Sequence, residues 1–357
     1  MKKILAIVLA LTLMFGVLSG CAAQNTPAPA APQESEGEAA PAPERKETQF
    51  YSMASFNTGS FQYMYAAALA GELLKIHPEY NITAEATSGT TENLDLLYRG
   101  EVALSVSSPE RLYNAYHGIA KYEEMGKLEA GILWSYMGQA SLLFVKADSG
   151  INGFEDLAGK KVCIGAAGSS NETKNSYILD AYGYTRASED VYVFDELETF
   201  SIDYTEGASA LADGTVDAIV ATQPIPETAI YELALTTDIS VFPVDKEKFS
   251  ALREKYAWMW DSVVPANTYP SQTEALLTLG DPNYVLASLN EISEEDAYNI
   301  TKAYVEVILP ILGEQFEVVK PYAEDPSLLC ANWVIPGHPG AVKYFTECGY
   351  SCDVVEP

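Results

Sequence analysis

Basic residues are scarce in this chain. Lysine and arginine together number 21, against 50 aspartates and glutamates, and the formal net charge is −29. Nucleic acids need a basic surface for their phosphates, so this charge excludes a nucleic-acid-binding protein. It also argues against long-range attraction as the means of capturing an anion. An anionic ligand would have to be held by local hydrogen-bond donors and helix N-termini.

Histidine is rarer still, and the three are His77, His117 and His338. None lies beside a nucleophile or in the spacing of a metal site. The two glycine-rich loops discussed below lack the lysine and the spacing of a phosphate-binding loop. Glu85, Glu92 and Glu172 lie near these loops, where we interpret them as charges at loop edges or helix starts. We therefore expect a protein that is not an enzyme and holds no cofactor and no metal.

The N-terminus carries a short apolar run, residues 4–17, preceded by Lys2 and Lys3. This pattern is typical of a signal peptide, and the run is short for a membrane span. It ends in L-S-G-C at 18–21, which resembles the bacterial lipobox, where the cysteine becomes the lipidated first residue. We predict a signal peptide over 1–20 and a lipid at Cys21; the alternative is a membrane helix that is retained.

The segment after Cys21 is rich in alanine, proline, glutamate and glutamine and shows no hydrophobic period. Such a composition cannot bury a core, so we predict that 21–48 is a lipidated cysteine followed by a disordered tether. Loss of the signal with its two lysines would take the net charge from −29 to −31. The folded part is expected to begin near Gln49, on the outer face of the bacterial cell membrane.

Four cysteines remain in the folded part, and they permit three full pairings. Cys163 falls in a predicted strand, where we interpret it as a small buried apolar residue. A disulfide among Cys330, Cys348 and Cys352 stays open as an alternative, since the protein is expected outside the cytoplasm. A zinc site there is disfavoured because the spacing matches no common pattern.

Two stretches of the chain repeat one pattern. Residues 87–109 read as a hydroxyl-rich loop around a glycine, a helix over 92–98, a stop at Gly100 and a short buried strand. Residues 161–175 and 211–223 repeat strand, Gly/Ser loop and helix, then helix, glycine and strand. Each unit brings hydroxyls and backbone N–H groups to the mouth of a parallel sheet, where α/β folds bind ligands.

The alternation of strands and helices predicts an α/β class. About three hundred ordered residues is more than one core usually serves, so we expect two lobes. A strand over 132–145, broken at Gly138, is expected to cross between them. The predicted first lobe is 49–140 with 245–357, and the inserted second lobe is 141–244, with a ligand cleft between the lobes. Two further predicted elements are a strand over 284–288 and a helix over 294–315.

Three cations lie near the predicted cleft elements. Arg99 falls at the end of its helix that faces away from the cleft. Arg111 and Lys174 could clamp a carboxylate, although a surface role for each is the favoured interpretation. The loop over 55–63, dense in hydroxyls and aromatics, is a further candidate for ligand contact, with helix capping as the alternative.

Several motifs carry a family resemblance. They are T-S-G-T-T-E-N-L at 87–94, G-A-A-G-S-S-N-E at 165–172, G-T-V-D-A at 214–218, Q-P at 223–224, T-D-I at 237–239, V-P-A-N-T-Y-P-S-Q at 264–272 and H-P-G at 338–340. In this order, from about 52 to 349, they resemble the TAXI-type solute-binding subunits of tripartite ATP-independent (TRAP) transporters. The resemblance implies a two-lobed, periplasmic-binding-protein-like (type II) fold. It also implies a glutamate-like or dicarboxylate ligand, delivered to membrane subunits driven by an ion gradient.

By matching positions, the resemblance also implies the ligand shell. Its members would be Ser55, Thr58, Ser60, Thr87, Ser88, Gly89, Thr90, Ser107, Ser169, Ser170, Asn171, Thr222, Gln223 and Tyr269. The first loop departs from the family, which is richer in glycine where this chain has Phe56, Asn57 and Phe61. We expect a monomer. The alternatives are a binding protein that feeds a sensory receptor and an extracellular hydrolase.

Overall fold

The computed structural model describes residues 47–188 and 191–354. The predicted signal peptide, Cys21 and nearly all of the predicted tether lie outside the described residues. The strands are β1 (Gln49–Ala54), β2 (Tyr80–Glu85), β3 (Leu104–Ser107), β4 (Ala130–Lys146), β5 (Lys161–Cys163), β6 (Arg186–Ser188), β7 (Val191–Phe194), β8 (Glu198–Phe200), β9 (Ala218–Pro224), β10 (Ile239–Pro243), β11 (Trp260–Val264) and β12 (Leu276–Ser288).

The helices alternate with these strands along the chain. They are α1 (Phe61–Ile76), α2 (Thr90–Tyr98), α3 (Pro109–His117), α4 (Ser170–Ala181), α5 (Tyr204–Asp213), α6 (Thr228–Ala234), α7 (Lys246–Lys255), α8 (Glu294–Ala303), α9 (Leu309–Gln315), α10 (Lys320–Glu324) and α11 (Pro339–Glu347). The predicted helix over 294–315 is present as α8 and α9, joined by a π-helical turn at Tyr304–Ile308. Within the described part of the chain, no helix combines the length and the apolar character needed to cross a membrane.

One mixed sheet holds most of the strands, in the order β2-β1-β3-β12-β4-β9-β5-β8. Parallel pairs form its outer parts, with β1 beside β2 and β3 at one end and β5 beside β8 and β9 at the other. The long strands β12 and β4 run antiparallel between these parts. The predicted α/β class is confirmed, and the sheet has two parallel parts joined by β4 and β12; the two lobes and their boundaries stay a prediction.

Strand β4 belongs to both parts of the sheet. Residues 130–140 pair with β12, and residues 139–145 pair with β9. The predicted break at Gly138 is wrong, because Gly138 pairs with Pro282 in a continuous ladder. Pairing with β12 keeps β4 extended through a residue that weakens strands in isolation.

Strand β12 is much longer than the predicted strand over 284–288. Its first half contains Gly280, Asp281 and Pro282, which read locally as a turn. These residues are held in the sheet by their pairing with Ala140, Gln139 and Gly138. The sequence therefore showed only the half of β12 in which local pattern and tertiary pairing agree.

Two apolar clusters pack against the sheet. The larger includes Trp134, which stacks on Tyr304 with ring centroids 4.0 Å apart and donates from Nε1 to the Tyr65 hydroxyl over 2.9 Å. The smaller includes Cys163, which is fully buried as the sequence predicted. All four cysteines of the described residues carry free thiols, and the Cys352 side chain lowers the pKa of Cys330.

Candidate functional site

A cavity of about 330 Å³ opens where strands β1, β2, β3 and β5 are followed by the N-termini of helices. Its volume is at the lower end of the range for small-molecule sites. The lining residues are Phe56, Gln62, Ser88, Gly89, Thr90, Thr91, Ser108, Arg111, Gln139, Ala167, Gly168, Ser169, Ser170, Asn171, Lys174 and Asn283.

The N-termini of α1, α2, α3 and α4 all contribute to this lining. Gln62 comes from the first turn of α1, Thr90 and Thr91 begin α2, Ser108 precedes α3, and Ser170 begins α4. The first N–H groups of a helix have no partner within the helix, and the helix dipole adds partial positive charge at this end. Several helices that point their N-termini at one cavity create a favourable site for an anion.

The loop before α2 is held by side chains that face away from the cavity. The Thr87 hydroxyl lies 2.8 Å from Ser55 O and 2.6 Å from Asn93 Oδ1. Asn93 Nδ2 donates to Ser55 O over 2.6 Å and to Val106 O over 2.9 Å. The buried Asn93 amide thus joins the loop after β1 to β3 and fixes the start of α2.

Helix α2 begins at a glycine. Gly89 is the N-cap residue with a φ of 136°, and it receives no side-chain cap from the described residues. Glu92 accepts 2.7 Å hydrogen bonds from both the backbone N–H and the hydroxyl of Ser88, and these bonds lower its pKa. The amides of Thr90 and Thr91, at the first two helical positions, are left facing the cavity region without a capping side chain from the described chain.

Helix α4 starts differently. Ser169 caps it by accepting a 3.1 Å hydrogen bond from Glu172 N, and Glu172 Oε2 accepts a 2.7 Å bond from Gly168 N. Farther along the helix, Asn175 Nδ2 donates to Ile164 O over 3.0 Å and to Val220 O over 2.9 Å. Asn175 therefore connects the end of β5 to β9, as Asn93 connects elements on the other side of the cavity.

Arg111 and Lys174 bring positive charge to the lining. The Arg111 side chain is 25% exposed, and its Nε lies 3.2 Å from Glu110 Oε2. Lys174 is fully buried and donates to Asp281 Oδ2 over 2.8 Å and to Gln139 Oε1 over 2.5 Å. The surface role favoured for Lys174 is wrong, because burial and a buried ion pair remove it from the surface.

Both carboxyl partners of these cations are themselves buried. Burial raises the pKa of Glu110, and Arg111 opposes that shift. Burial likewise raises the pKa of Asp281, opposed by the charge and hydrogen bond of Lys174. Each cation therefore faces the cavity with its own carboxylate behind it, and neither carboxylate is part of the lining.

Two polar groups in the lining are buried without a hydrogen bond from the described chain: Ser108 Oγ and Asn283 Nδ2. Buried polar groups are almost always paired, and an unpaired one costs about 1–3 kcal/mol. An unpaired donor that lines a cavity can be satisfied by a bound acceptor. The hydroxyl of Ser108 and the amide of Asn283 are therefore candidates for ligand contact.

The cavity brings together part of the predicted ligand shell. The predicted residues in its lining are Ser88, Gly89, Thr90, Ser169, Ser170 and Asn171. The predicted residues outside that lining are Ser55, Thr58, Ser60, Thr87, Ser107, Thr222, Gln223 and Tyr269. Contact between any of these residues and a ligand stays a prediction.

The predicted residues outside the lining have other surroundings. Ser55 is buried and donates to Glu85 O over 2.8 Å, and Ser60 caps α1 by accepting from Tyr63 N. Thr58 is exposed in the loop before α1, and Ser107 is buried with its hydroxyl on Ser108 O.

The other three predicted residues are Thr222 and Gln223, near the end of β9, and Tyr269, farther along the chain. The Thr222 hydroxyl donates to Asn175 Oδ1 over 2.8 Å. Gln223 is half-buried and follows Thr222 in β9. Tyr269 is buried in the smaller apolar cluster, where its hydroxyl accepts from Glu227 N.

Other lining residues were not predicted. Ser108 had a detectable signal, because a serine before a proline is typical of a helix start. Gln139 and Asn283 had none, since both lie inside long strands and face the cavity only through the register of β4 and β12. The lining, as far as the structure describes it, contains no histidine, cysteine, aspartate or glutamate. It offers hydrogen-bond donors and positive charge, which suit binding of an anion.

Comparison with solved structures gives similarities at low identity. The periplasmic aliphatic sulphonate binding protein SsuA from Escherichia coli is 16% identical, with 77% of this chain and 78% of that chain covered and a TM-score of 0.42. The probable amino-acid ABC transporter extracellular-binding protein ytmK from Bacillus subtilis is 18% identical, with coverage of 78% and 100% and a TM-score of 0.44. Lipoprotein Tp32 from Treponema pallidum is 11% identical, with coverage of 76% and 97% and a TM-score of 0.44.

A family model gives a more direct assignment. The model of the NMT1-like family matches residues 53–349. This match covers every strand of the sheet except the first four residues of β1, and every lining residue of the cavity. The chain belongs to the NMT1-like family.

Proposed function

We propose that this protein is an extracytoplasmic binding protein that holds a small organic anion in the cavity and delivers it to a membrane permease. The observation that carries the proposal is the composition of the lining. Arg111, Lys174 and the N-termini of four helices face the cavity, and among the described residues no carboxylate lines it. In a chain with 50 acidic residues, such a surface favours an anion.

The proposed ligand carries at least one carboxylate. The guanidinium of Arg111 suits a carboxylate because its planar donors can make two parallel hydrogen bonds. The α2 amides at Thr90 and Thr91 would add donors whose dipole favours negative charge. A cavity of about 330 Å³ limits the ligand to a small organic acid.

The proposed partner is the membrane part of a TRAP transporter. Its support is the ordered set of motifs that resemble TAXI-type subunits, of which T-S-G-T-T-E-N-L and G-A-A-G-S-S-N-E supply lining residues. A lipid on Cys21 and a tether up to residue 48 would keep the binding protein at the membrane that holds this permease. Transport of the bound acid into vesicles that contain the membrane subunits, dependent on added binding protein, tests this partner.

A thermal-shift experiment tests the anion-binding function. The folded part, residues 47–357, is melted with succinate, malate, 2-oxoglutarate, pyruvate and other small acids, each beside its uncharged amide as a control. A ligand at one hundred times its Kd stabilises the folded state by about 2.7 kcal/mol, which raises Tm by several degrees. We expect at least one acid to raise Tm and its amide to leave it unchanged. Equal shifts with acids and amides, or none with any acid, would contradict the proposal.

A further inference from the structure

The carboxylates beside the cavity are already engaged by the protein. Glu92 and Glu172 accept from the N–H groups of Ser88 and Gly168, and the other two partner the cations of the lining. Glu110 lies beside Arg111 and also accepts a 2.9 Å hydrogen bond from Asn114 Nδ2. Asp281 accepts from Lys174, and both side chains are nearly fully buried, with exposures of 1% and 2%. In the described chain, the lining itself contains no aspartate or glutamate. A positively charged group on a ligand would therefore meet no free negative partner there.

Lys174 occupies a defined position between the cavity and Asp281. Gln139 and Asp281 are cross-strand partners on β4 and β12, and Lys174 reaches both from α4. Lys174 and Gln139 line the cavity, whereas Asp281 lies behind them. Oδ1 of Asp281 has no hydrogen-bond partner among the described residues. The ammonium of Lys174 thus stands where a ligand ammonium would have to stand to reach a carboxylate.

We infer that the cavity selects organic acids that lack an ammonium group against amino acids of the same carbon skeleton, and that Lys174 sets this selection by occupying Asp281. The inference rests on the proposed function and specifies its ligand class. An α-amino acid would place its ammonium among donors, and a buried charge without a partner is costly. A keto or hydroxyl oxygen at the same position would instead accept from the unpaired donors on Asn283 and Ser108.

The first experiment compares matched ligand pairs by calorimetry on the folded protein. The pairs are 2-oxoglutarate with glutamate, succinate with aspartate, and pyruvate with alanine. For the pair that binds best, we expect the acid to bind at least about 100-fold more tightly than the amino acid, as in sites that leave a buried polar group unpaired. If the amino acid binds equally well or better, the inference is overturned while the anion-binding function stands. If no acid binds, both fail.

The second experiment tests the role assigned to Lys174. Lys174→Ala opens space in front of Asp281, so the ammonium of an amino acid can replace the lysine. We expect the ratio of acid to amino-acid affinity to fall at least about tenfold, a change of 1.4 kcal/mol. The double variant Lys174→Ala/Asp281→Ala is the matched control and should gain no amino-acid binding. An unchanged ratio in Lys174→Ala would overturn this role.

A further variant keeps the test valid if Lys174→Ala does not fold. Asp281→Asn retains Lys174 but removes its counter-charge, which makes the cavity wall more positive. We expect this variant to raise the ratio of acid to amino-acid affinity. The expected rise is about tenfold for a dicarboxylate, because the negative charge of residue 281 no longer opposes the attraction between Lys174 and the ligand. A ratio equal to that of the unmodified protein would overturn the assignment, whatever the effect on stability.

Discussion

The starts of α2 and α4, on either side of the cavity, use the same parts in different ways. In each, a glutamate three residues after the N-cap accepts from the N–H of the residue before the cap: Glu92 from Ser88 and Glu172 from Gly168. In each, a buried asparagine ties the helix to strand or loop carbonyls. In both units, a glutamate and a buried asparagine therefore hold the helix N-terminus at the edge of the sheet.

The starts of α2 and α4 differ at the N-cap residue. Helix α4 has Ser169, whose hydroxyl satisfies one of its own N–H groups, whereas α2 has Gly89 and no side-chain cap from the described residues. Arg111 adds a partly exposed cation to the lining, whereas Lys174, on α4 itself, is buried and its charge is paired with Asp281. From this difference we expect the start of α2 and Arg111 to contribute most of the proposed anion affinity, and the start of α4 to contribute less.

The largest expected effect concerns the buried asparagines. Asn93→Ala removes one hydrogen bond from each of two buried carbonyls, and Asn175→Ala removes one from each of Ile164, Val220 and Thr222. At about 0.5–1.5 kcal/mol for each hydrogen bond lost, we expect losses of about 2 and about 3 kcal/mol in free energy of unfolding. Urea unfolding measures both, with the exposed Asn290→Ala as control. A loss below about 0.5 kcal/mol in either variant would break the structural parallel.

The second prediction concerns affinity. Arg111→Gln removes the partly exposed cation, and a hydrogen bond to a charged group contributes about 1.5–3 kcal/mol. We expect the Kd of the best acid to rise about 10- to 150-fold, measured by calorimetry. Arg99→Gln is the control, because Arg99 lies at the C-terminal end of α2, paired with Glu101 and half exposed. Equal effects of the two variants would show that Arg111 acts only through net charge.

The third prediction concerns the two caps. At Gly89, with φ at 136°, an added Cβ would lie 3.3 Å from the Phe56 ring, so Gly89→Ala is both strained and crowded. We expect it to cost about 1–3 kcal/mol of stability. Ser169→Gly removes the serine cap but should cost only a few tenths of a kcal/mol. Thermal or urea unfolding compares the two, and an equal cost would contradict the asymmetry of the caps.

The smallest expected effect is that of salt. Arg111 and Lys174 each have a buried carboxylate partner close by, so the positive charge of the cavity wall acts only at short range. We expect the Kd to change less than about threefold between low and moderate salt, because short-range donors are screened little. Titrations at the two ionic strengths measure it. Steep weakening with salt would mean that Arg111 attracts the ligand over distance and that the helix N-termini contribute little.

The sequence predicted those parts of the fold that depend on local pattern. The stop at Gly100, the start of α8 at Glu294 and the second half of β12 appear where glycine and apolar periodicity predicted them. The first half of β12 was missed because Gly280 and Pro282 oppose strand formation locally. Pairing with β4 and β11 outweighs that tendency, and such pairing is a property of the assembled sheet.

The site was predictable to a similar extent. The two loops were predicted because a glycine among hydroxyl residues before a helix is a local sequence signal. The direction in which each hydroxyl points depends on the folded structure and has no such signal. Thr87 and Ser55 were predicted as ligand contacts, which nothing yet tests, and the sequence did not indicate that their hydroxyls bond to loop and strand carbonyls. The bond from Lys174 to Asp281 joins residues 107 positions apart, and composition gave no indication that they meet.

The close antiparallel pairing of β4 and β12 affects how the sheet can bend. A Cβ on Gly280 would lie 1.9 Å from Gln139 O, so the two backbones approach more closely there than any side chain permits. Gln139 and Ala140 also pair with β9 on their other side. Because Gln139 and Ala140 are paired on both edges, with Gly280 packed against them, the sheet resists bending at this point.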